Sequence, residues 1–204
     1  QLLLVPERFA IGMQYRGWIL RNKICWNKLS SAVQPAKDRL SPTWESIFFF
    51  VKTSNYYFDP YQIGEPLKEN TIQRALYDLN RDESHVKDQT RANIRKRSAE
   101  KFLSGERALA FPRDVWNIAV GGTRGDLIHT ASYPTDLVRR ILKCATKPGD
   151  VVLDPFLGSG TTTEVCREMK RSCIGIELNE KFLADMNKRL NLDEQLVKEI
   201  EVVK

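Results

Sequence analysis

The stretch Val151-Val152-Leu153-Asp154-Pro155-Phe156-Leu157-Gly158-Ser159-Gly160-Thr161-Thr162 decides how this chain is read. Asp150 to Asp154 has the composition of a buried strand, and Thr161 to Lys170 reads as a helix. Between them, Gly158 and Gly160 allow the backbone to turn sharply and let a ligand come close to main-chain N–H groups. Downstream, Cys173 to Leu178 reads as a second buried strand and Glu180 to Leu190 as a second helix. Strand, glycine loop, helix, strand, helix is the opening unit of a doubly wound α/β sheet. Glu177 ends the second strand, 19 residues beyond Gly158, where a carboxylate can accept the hydroxyls of a ribose. A nucleoside-containing cofactor is therefore implied.

Spacing separates the cofactors that use such a loop. A dinucleotide fingerprint requires GxGxxG, but Thr163 stands where the third glycine belongs, so an NAD-dependent oxidoreductase is a poor fit. A triphosphate loop requires Gly-Lys-Ser/Thr, yet Gly160 is followed by Thr161, with no lysine to hold phosphate.

Upstream the signals are more local. Leu137, Val138, Ile141 and Leu142 repeat at helical spacing after Thr135, a candidate N-cap. Pro6 opens a short helix that Gly17 ends. The run Trp18 to Trp26 reads as a strand, Asn27 to Thr43 as loop and Ile47 to Val51 as another strand. Tyr56 to Phe58, after a turn at Thr53 to Asn55, is expected to complete a hairpin with it. From Gln62 to Arg113 apolar residues thin out and charge becomes dense. Within that segment Arg91, Arg95, Lys96, Arg97 and Lys101 face a single acid, Glu100. Such a run reads either as a solvated helix face or as a phosphate-contacting patch.

Composition narrows the class. With 204 residues, of which 42% are hydrophobic, the chain is long enough to bury a core, and the net charge of +6 favours an anionic partner. Cys25, Cys144, Cys166 and Cys173 form no CxxC pair and have only His85 and His129 to join them, so no metal site is expected. Three of these cysteines sit in apolar or amphipathic stretches, as free thiols do in a reducing compartment. No apolar run approaches bilayer-spanning length, so no membrane association is expected.

The ordered motifs resemble the DNA amino-methyltransferases in the permuted group that carries its cofactor loop near the C-terminus. Asp154 to Thr162 matches that family's Asp-Pro-Phe-x-Gly-Ser-Gly-Thr-Thr signature in full, and Ile174 to Asn179 matches its ribose-binding strand. His129-Thr130-Ala131-Ser132-Tyr133-Pro134 looks like the segment that wraps the methionine end of the cofactor. Gly17 to Asn22 with Trp26 and Lys28 looks like a central strand and its following loop. Lys37-Asp38-Arg39, Glu45 and Tyr56 to Asp59 resemble the later hairpin region, and Asp114 to Trp116 the exit from the recognition region. One element is missing. The family's catalytic tetrapeptide, Asp, Ser or Asn followed by Pro-Pro and an aromatic, is expected upstream of Gln1, since the chain contains no Pro-Pro pair. Asp59-Pro60-Tyr61 reads as a chance likeness.

The resemblance implies an α/β fold: a partial Rossmann-like doubly wound methyltransferase sheet with an inserted DNA-recognition region. Residues 1–61 would form the catalytic-side half, 62–115 the target-recognition insertion and 116–204 the cofactor-binding half. It implies methylation of an exocyclic amino group of a DNA base, N6 of adenine or N4 of cytosine, with S-adenosyl-L-methionine as donor. The expected cofactor-binding residues are Asp154, Pro155, Phe156, Gly158, Ser159, Gly160, Thr161, Thr162, Glu177, Leu178, Asn179, Thr130, Ser132 and Pro134. The expected DNA-binding residues are Lys28, Arg39, Arg91, Arg95, Lys96 and Arg97. Implied partners are double-stranded DNA, an upstream segment or companion chain bearing the tetrapeptide, and a paired restriction endonuclease, all in a prokaryotic cytoplasm. The competing reading is an inactive or regulatory DNA-binding fragment of such an enzyme.

Overall fold

A computed structural model describes residues 2–29, 37–80, 89–104, 109–120 and 133–191. The chain divides into two compact units, one formed by Gln1–Phe58 with Asp114–Lys204 and the other by Asp59–Arg113.

In the first unit, helix α1 (Val5–Tyr15) starts with Pro6 in its first turn, where a missing N–H costs nothing. Gly17, at φ 85°, turns the chain into strand β1 (Ile19–Lys28). β1 pairs antiparallel with β2 (Trp44–Val51), so the hairpin partner of β2 is the strand before it. The expected strand at Tyr56 to Phe58 does not form. Phe49 packs its ring against Tyr56 at 5.7 Å and Phe58 at 5.2 Å. Ring packing, not a backbone ladder, therefore holds that segment against β2.

On its other side β1 pairs in parallel with β5 (Val115–Ile118), placing Trp26 beside Trp116. Both indoles are buried, and Trp26 Nε1 donates to the carbonyl of Ile118 at 2.9 Å, so Trp26 is a core residue.

The second unit opens on a 3-10 helix (Pro60–Ile63) and contains β3 (Glu65–Pro66), α2 (Glu69–Asn80), α3 (Gln89–Leu103) and β4 (Leu109–Ala110), with β3 and β4 antiparallel. α2 and α3 pack together with Ala75, Ala92 and Ala99 buried. Asp59-Pro60-Tyr61 has a local structural role: the Asp59 carboxylate accepts from Tyr61 N and from Gln62 Nε2, capping the 3-10 helix.

Back in the first unit, α4 (Thr135–Ala145), β6 (Val151–Asp154), α5 (Thr161–Glu168), β7 (Ser172–Gly175) and α6 (Glu180–Leu190) follow in order. Thr135 does not cap α4: Pro134 occupies the N-cap position and no side-chain cap bond forms. β6 and β7 are parallel neighbours joined through α5, pairing Leu153 with Ile174 and Asp154 with Gly175. Val138 and Leu142 of α4 and Val165 and Cys166 of α5 form a core against Val152 and Cys173 on one face of this pair.

The other face departs from the expectation of strands buried on both sides. Val151 and Leu153 are 62% and 61% exposed and Ile174 is 56% exposed. Alternation explains this: residues two apart share a face, and α4 and α5 cover only the face of Val152 and Cys173. β6 has a strand partner on one side only among the described residues.

Candidate functional site

The carboxyl ends of β6 and β7 carry the glycine loop. Parallel α/β sheets present ligand sites at that end because helix N-termini and strand-leaving loops converge there. Gly158 and Gly160 both have positive φ, 55° and 79°, and Gly160 forms the N-cap of α5. The loop continues to bond with the neighbouring strand after the ladder ends. Ile176 N donates to the Asp154 carbonyl and Leu157 N to the Ile176 carbonyl, both at 2.9 Å.

Close packing also demands small residues here. A Cβ on Gly175 would lie 2.4 Å from Leu157 Cδ2, and one on Gly160 would lie 2.4 Å from Met186 Cγ. Gly160→Ala is accordingly expected to cost about 1–3 kcal/mol of unfolding free energy, from left-handed backbone strain plus the displaced methionine. Urea denaturation at equilibrium reads this, and an unchanged midpoint would refute it.

Two carboxylates shape the loop. Glu177 Oε2 accepts from Gly158 N at 2.8 Å and Glu177 Oε1 accepts from Asn179 N at 2.8 Å. Its half-buried carboxylate therefore bridges the loop and the N-cap of α6. Asp154 is more fully engaged: Oδ1 accepts from Phe156 N at 3.0 Å, while Oδ2 accepts from Thr162 Oγ1 at 2.6 Å and from the Tyr133 hydroxyl at 2.8 Å. Burial pushes the Tyr133 phenol up to about 12, and the neighbouring Asp154 charge acts in the same direction.

The sequence-expected residues therefore differ in what they can do. Glu177 keeps about two of a carboxylate's roughly four acceptor positions for a ligand. Phe156 and Leu178, 85% and 96% exposed, are apolar side chains at the mouth of the loop. Ser159 is half-buried and Asn179 exposed, and Asn179 also caps α6 by accepting from Lys181 N at 3.1 Å. Asp154, Thr161 and Thr162 are on the inner side: Thr161 and Thr162 are buried, and the Asp154 oxygens already bind three donors. Pro155 is exposed and Pro134 buried. Thr130 and Ser132 lie outside the described residues.

Tyr133 belongs to the His129 to Pro134 motif but is not among the expected site residues. A tyrosine preceding a proline carries no signal of which carboxylate its hydroxyl reaches, and only the fold brings it to Asp154.

The chain is similar to known proteins. The family described as DNA methylase, covering adenine-N6 and cytosine-N4 enzymes by its name, matches residues 5–188. The chain belongs to the DNA methylase family. Among its relatives, Type II methyltransferase M.Cfr9I of Citrobacter freundii is 34% identical over 182 residues, 89% of this chain and 48% of that protein. M.SmaI of Serratia marcescens is 33% identical over 189 residues, 93% of this chain and 52% of that protein. The methylase chain thus spans about half the length of these curated relatives.

Solved structures share its fold. The M1.HpyAVI–SAM complex superimposes with a TM-score of 0.61 at 21% identity, over 94% of this chain and 72% of that one. The cytosine-N4-specific PvuII DNA methyltransferase gives 0.63 at 19% identity, over 93% and 57%. The expected α/β methyltransferase fold stands on these likenesses.

The basic residues expected to meet DNA are disposed unevenly. Lys28 pairs with Glu45 and lies over the Trp26 ring, while Arg39 pairs with Asp38 at 3.1 Å in an exposed segment. In α3, Arg91 and Arg95 are four residues apart and share one side of the helix, as Arg97 and Lys101 share another. Lys96 is half-buried, on the side of Ala92 and Ala99. The basic run is therefore two pairs on different sides of α3, not one stripe. No described helix is long and apolar enough to cross a membrane.

Proposed function

We propose that this chain is the cofactor-binding and DNA-recognising part of an enzyme that methylates an exocyclic amino nitrogen of a DNA base, N6 of adenine or N4 of cytosine. The supporting observation is the Glu177 carboxylate bonded to Gly158 N at the carboxyl end of two parallel strands, within a chain of the DNA methylase family. These residues fit S-adenosylmethionine. Glu177 has acceptor positions for the ribose hydroxyls, Phe156 and Leu178 offer apolar cover for an adenine, and Gly158 and Gly160 turn the loop backbone through positive φ. Thr130, Ser132 and Pro134 are assigned to the methionine end.

When bound, this cofactor supplies a methyl group activated on a sulfonium. The chain's own contribution is orientation: a donor held by its ribose and adenine has little freedom left to lose on the way to transfer. The acceptor amine is a weak nucleophile because its lone pair is delocalised into the base, and it loses one proton as the new N–C bond forms. Residues that hold that amine belong to a tetrapeptide this chain does not contain. An upstream segment or companion polypeptide is assigned to it, and the target base must leave the duplex to reach it. A paired restriction endonuclease and a cytoplasmic setting complete the reading.

Asp59–Arg113 is assigned to DNA recognition, with phosphate contacts drawn from Arg91, Arg95, Lys96 and Arg97 on whichever side of α3 meets the duplex, and Lys28 and Arg39 as further contacts. Two double variants separate the sides of α3. Neutralising Arg91 with Arg95, and Arg97 with Lys101, should flatten the dependence of log K on log salt for one pair only, by up to about 0.9 for each phosphate left without its cation. Specific and random duplexes should be affected alike. An unchanged slope in both double variants would return α3 to a solvated surface helix.

A further inference from the structure

We propose that the outward side of α3 reads base edges in the DNA major groove, with Asn93 and Arg97 as its specificity-determining residues; this rests on the DNA-recognition reading above. Helix geometry singles out that side. At about 100° per residue, Thr90, Asn93, Ile94, Arg97 and Lys101 fall on one arc, opposite the buried Ala92 and Ala99. All five are exposed, whereas Arg95 and Lys96 are half-buried beside the alanines. Ile94 is 62% exposed, an apolar side chain set among polar and cationic ones.

Charge chooses the occupant. α3 carries Arg91, Arg95, Lys96, Arg97 and Lys101 against the single acid Glu100, while α2, packed beside it, has Arg74 against Glu69 and Asp78. A polyanion therefore meets α3 and not α2. The mixture of side chains chooses the place on the duplex. Phosphates need only cations and would repel the Glu100 carboxylate, which flanks Arg97 three residues on. The groove floor instead offers a partner to each type of side chain present. A guanidinium donates two hydrogen bonds to guanine O6 and N7, and an amide pairs with adenine N6 and N7. A carboxylate accepts from cytosine N4, and an apolar side chain packs on the thymine methyl. The 15 residues of α3 make a helix about 22 Å long, which outreaches a groove about 12 Å wide. Asn93 and Arg97, near its middle, then reach the bases, while Lys101, a turn further on, reaches the phosphate rim.

Arg97→Lys separates the two uses of this residue, because lysine keeps the charge that a phosphate requires and loses the fork that a guanine requires. Asn93→Ala removes the amide alone. The full chain and both variants would be put through binding-site selection from a pool of randomised duplexes, and their affinity for one duplex of arbitrary sequence would be measured against salt. Wild type should enrich duplexes with particular bases at fixed positions. Arg97→Lys should lose preference for guanine at one position and Asn93→Ala for adenine at another, each by about tenfold, with the salt slope unchanged. Both sites are exposed, so both variants should remain folded by circular dichroism. Variants that keep every base preference of wild type, or that weaken all duplexes equally, would overturn the role given to Asn93 and Arg97 and leave the DNA-recognition reading intact. So would a wild-type chain that binds duplexes without sequence preference. A wild-type chain that binds no duplex would overturn the DNA-recognition reading and this inference with it.

Discussion

Replacing Glu177 by alanine is expected to weaken S-adenosylmethionine binding by about 1.5–3 kcal/mol, roughly ten- to a hundredfold, the scale of hydrogen bonds to a charged acceptor. Two effects combine in the variant. The ribose hydroxyls lose their acceptor, and the Gly158 and Asn179 amides lose the carboxylate that holds them at 2.8 Å, so the loop is no longer preformed. Glu177→Gln separates these: its amide keeps one acceptor oxygen for one backbone N–H but lacks the charge. Its affinity should fall between those of wild type and Glu177→Ala. Both amides lie at the surface end of the sheet, away from the core of Val138 and Val165, so the alanine variant should remain folded by circular dichroism. Equal calorimetric affinities of wild type and Glu177→Ala would sink the role assigned to this carboxylate.

The 204-residue chain by itself is expected to transfer no methyl group to DNA. It contains no Pro-Pro tetrapeptide, and the nearest string is already engaged, since the Asp59 carboxylate caps the 3-10 helix through Tyr61 N and Gln62 Nε2. The exposed face of Val151, Leu153 and Ile174, and the pairing of β6 on one side only among the described residues, leave apolar surface at this sheet. Adding a polypeptide that carries the tetrapeptide, in the same chain or separately, should restore transfer. The assay is incorporation of labelled methyl into DNA followed by nucleoside digestion, with N6-methyladenine or N4-methylcytosine as the expected product. Robust activity of the chain alone would bring Asp59-Pro60-Tyr61 back as the catalytic string. No activity after addition would favour the non-catalytic, DNA-binding reading.

Exclusive formation of 5-methylcytosine would refute the amino-methylating chemistry, because ring-carbon methylation requires a cysteine nucleophile. Two of the four cysteines are poorly suited to it. Cys144 and Cys166 are buried, and burial pushes the Cys166 thiol up to about 12, far from the thiolate such chemistry needs.

The sequence by itself determined the local elements whose signals are short-range. Pro6 and Gly17 bounded α1, the period of Leu137, Val138 and Leu142 set the apolar face of α4, and the glycine loop followed by Glu177 marked the carboxyl end of two parallel strands. Each depends on the φ of a few residues or on a repeat within one element, and a linear reading can see both.

What tertiary structure decided is everything that depends on which distant groups meet. The hydroxyl of Tyr133 reaches Asp154, 21 residues away, and Trp26 Nε1 reaches the Ile118 carbonyl, 92 residues away. Tyr56 to Phe58 has the composition of a strand, but it forms no ladder with β2, whose partner among the described residues is β1, and its rings pack on Phe49 instead. Val151, Leu153 and Ile174 look buried in sequence because apolar strands of parallel sheets usually are. Their exposure depends on whether a second layer covers that face, which no periodicity within β6 or β7 encodes. Likewise, the basic run of α3 is continuous along the chain, but a helix advances about 100° per residue and so divides it between two sides.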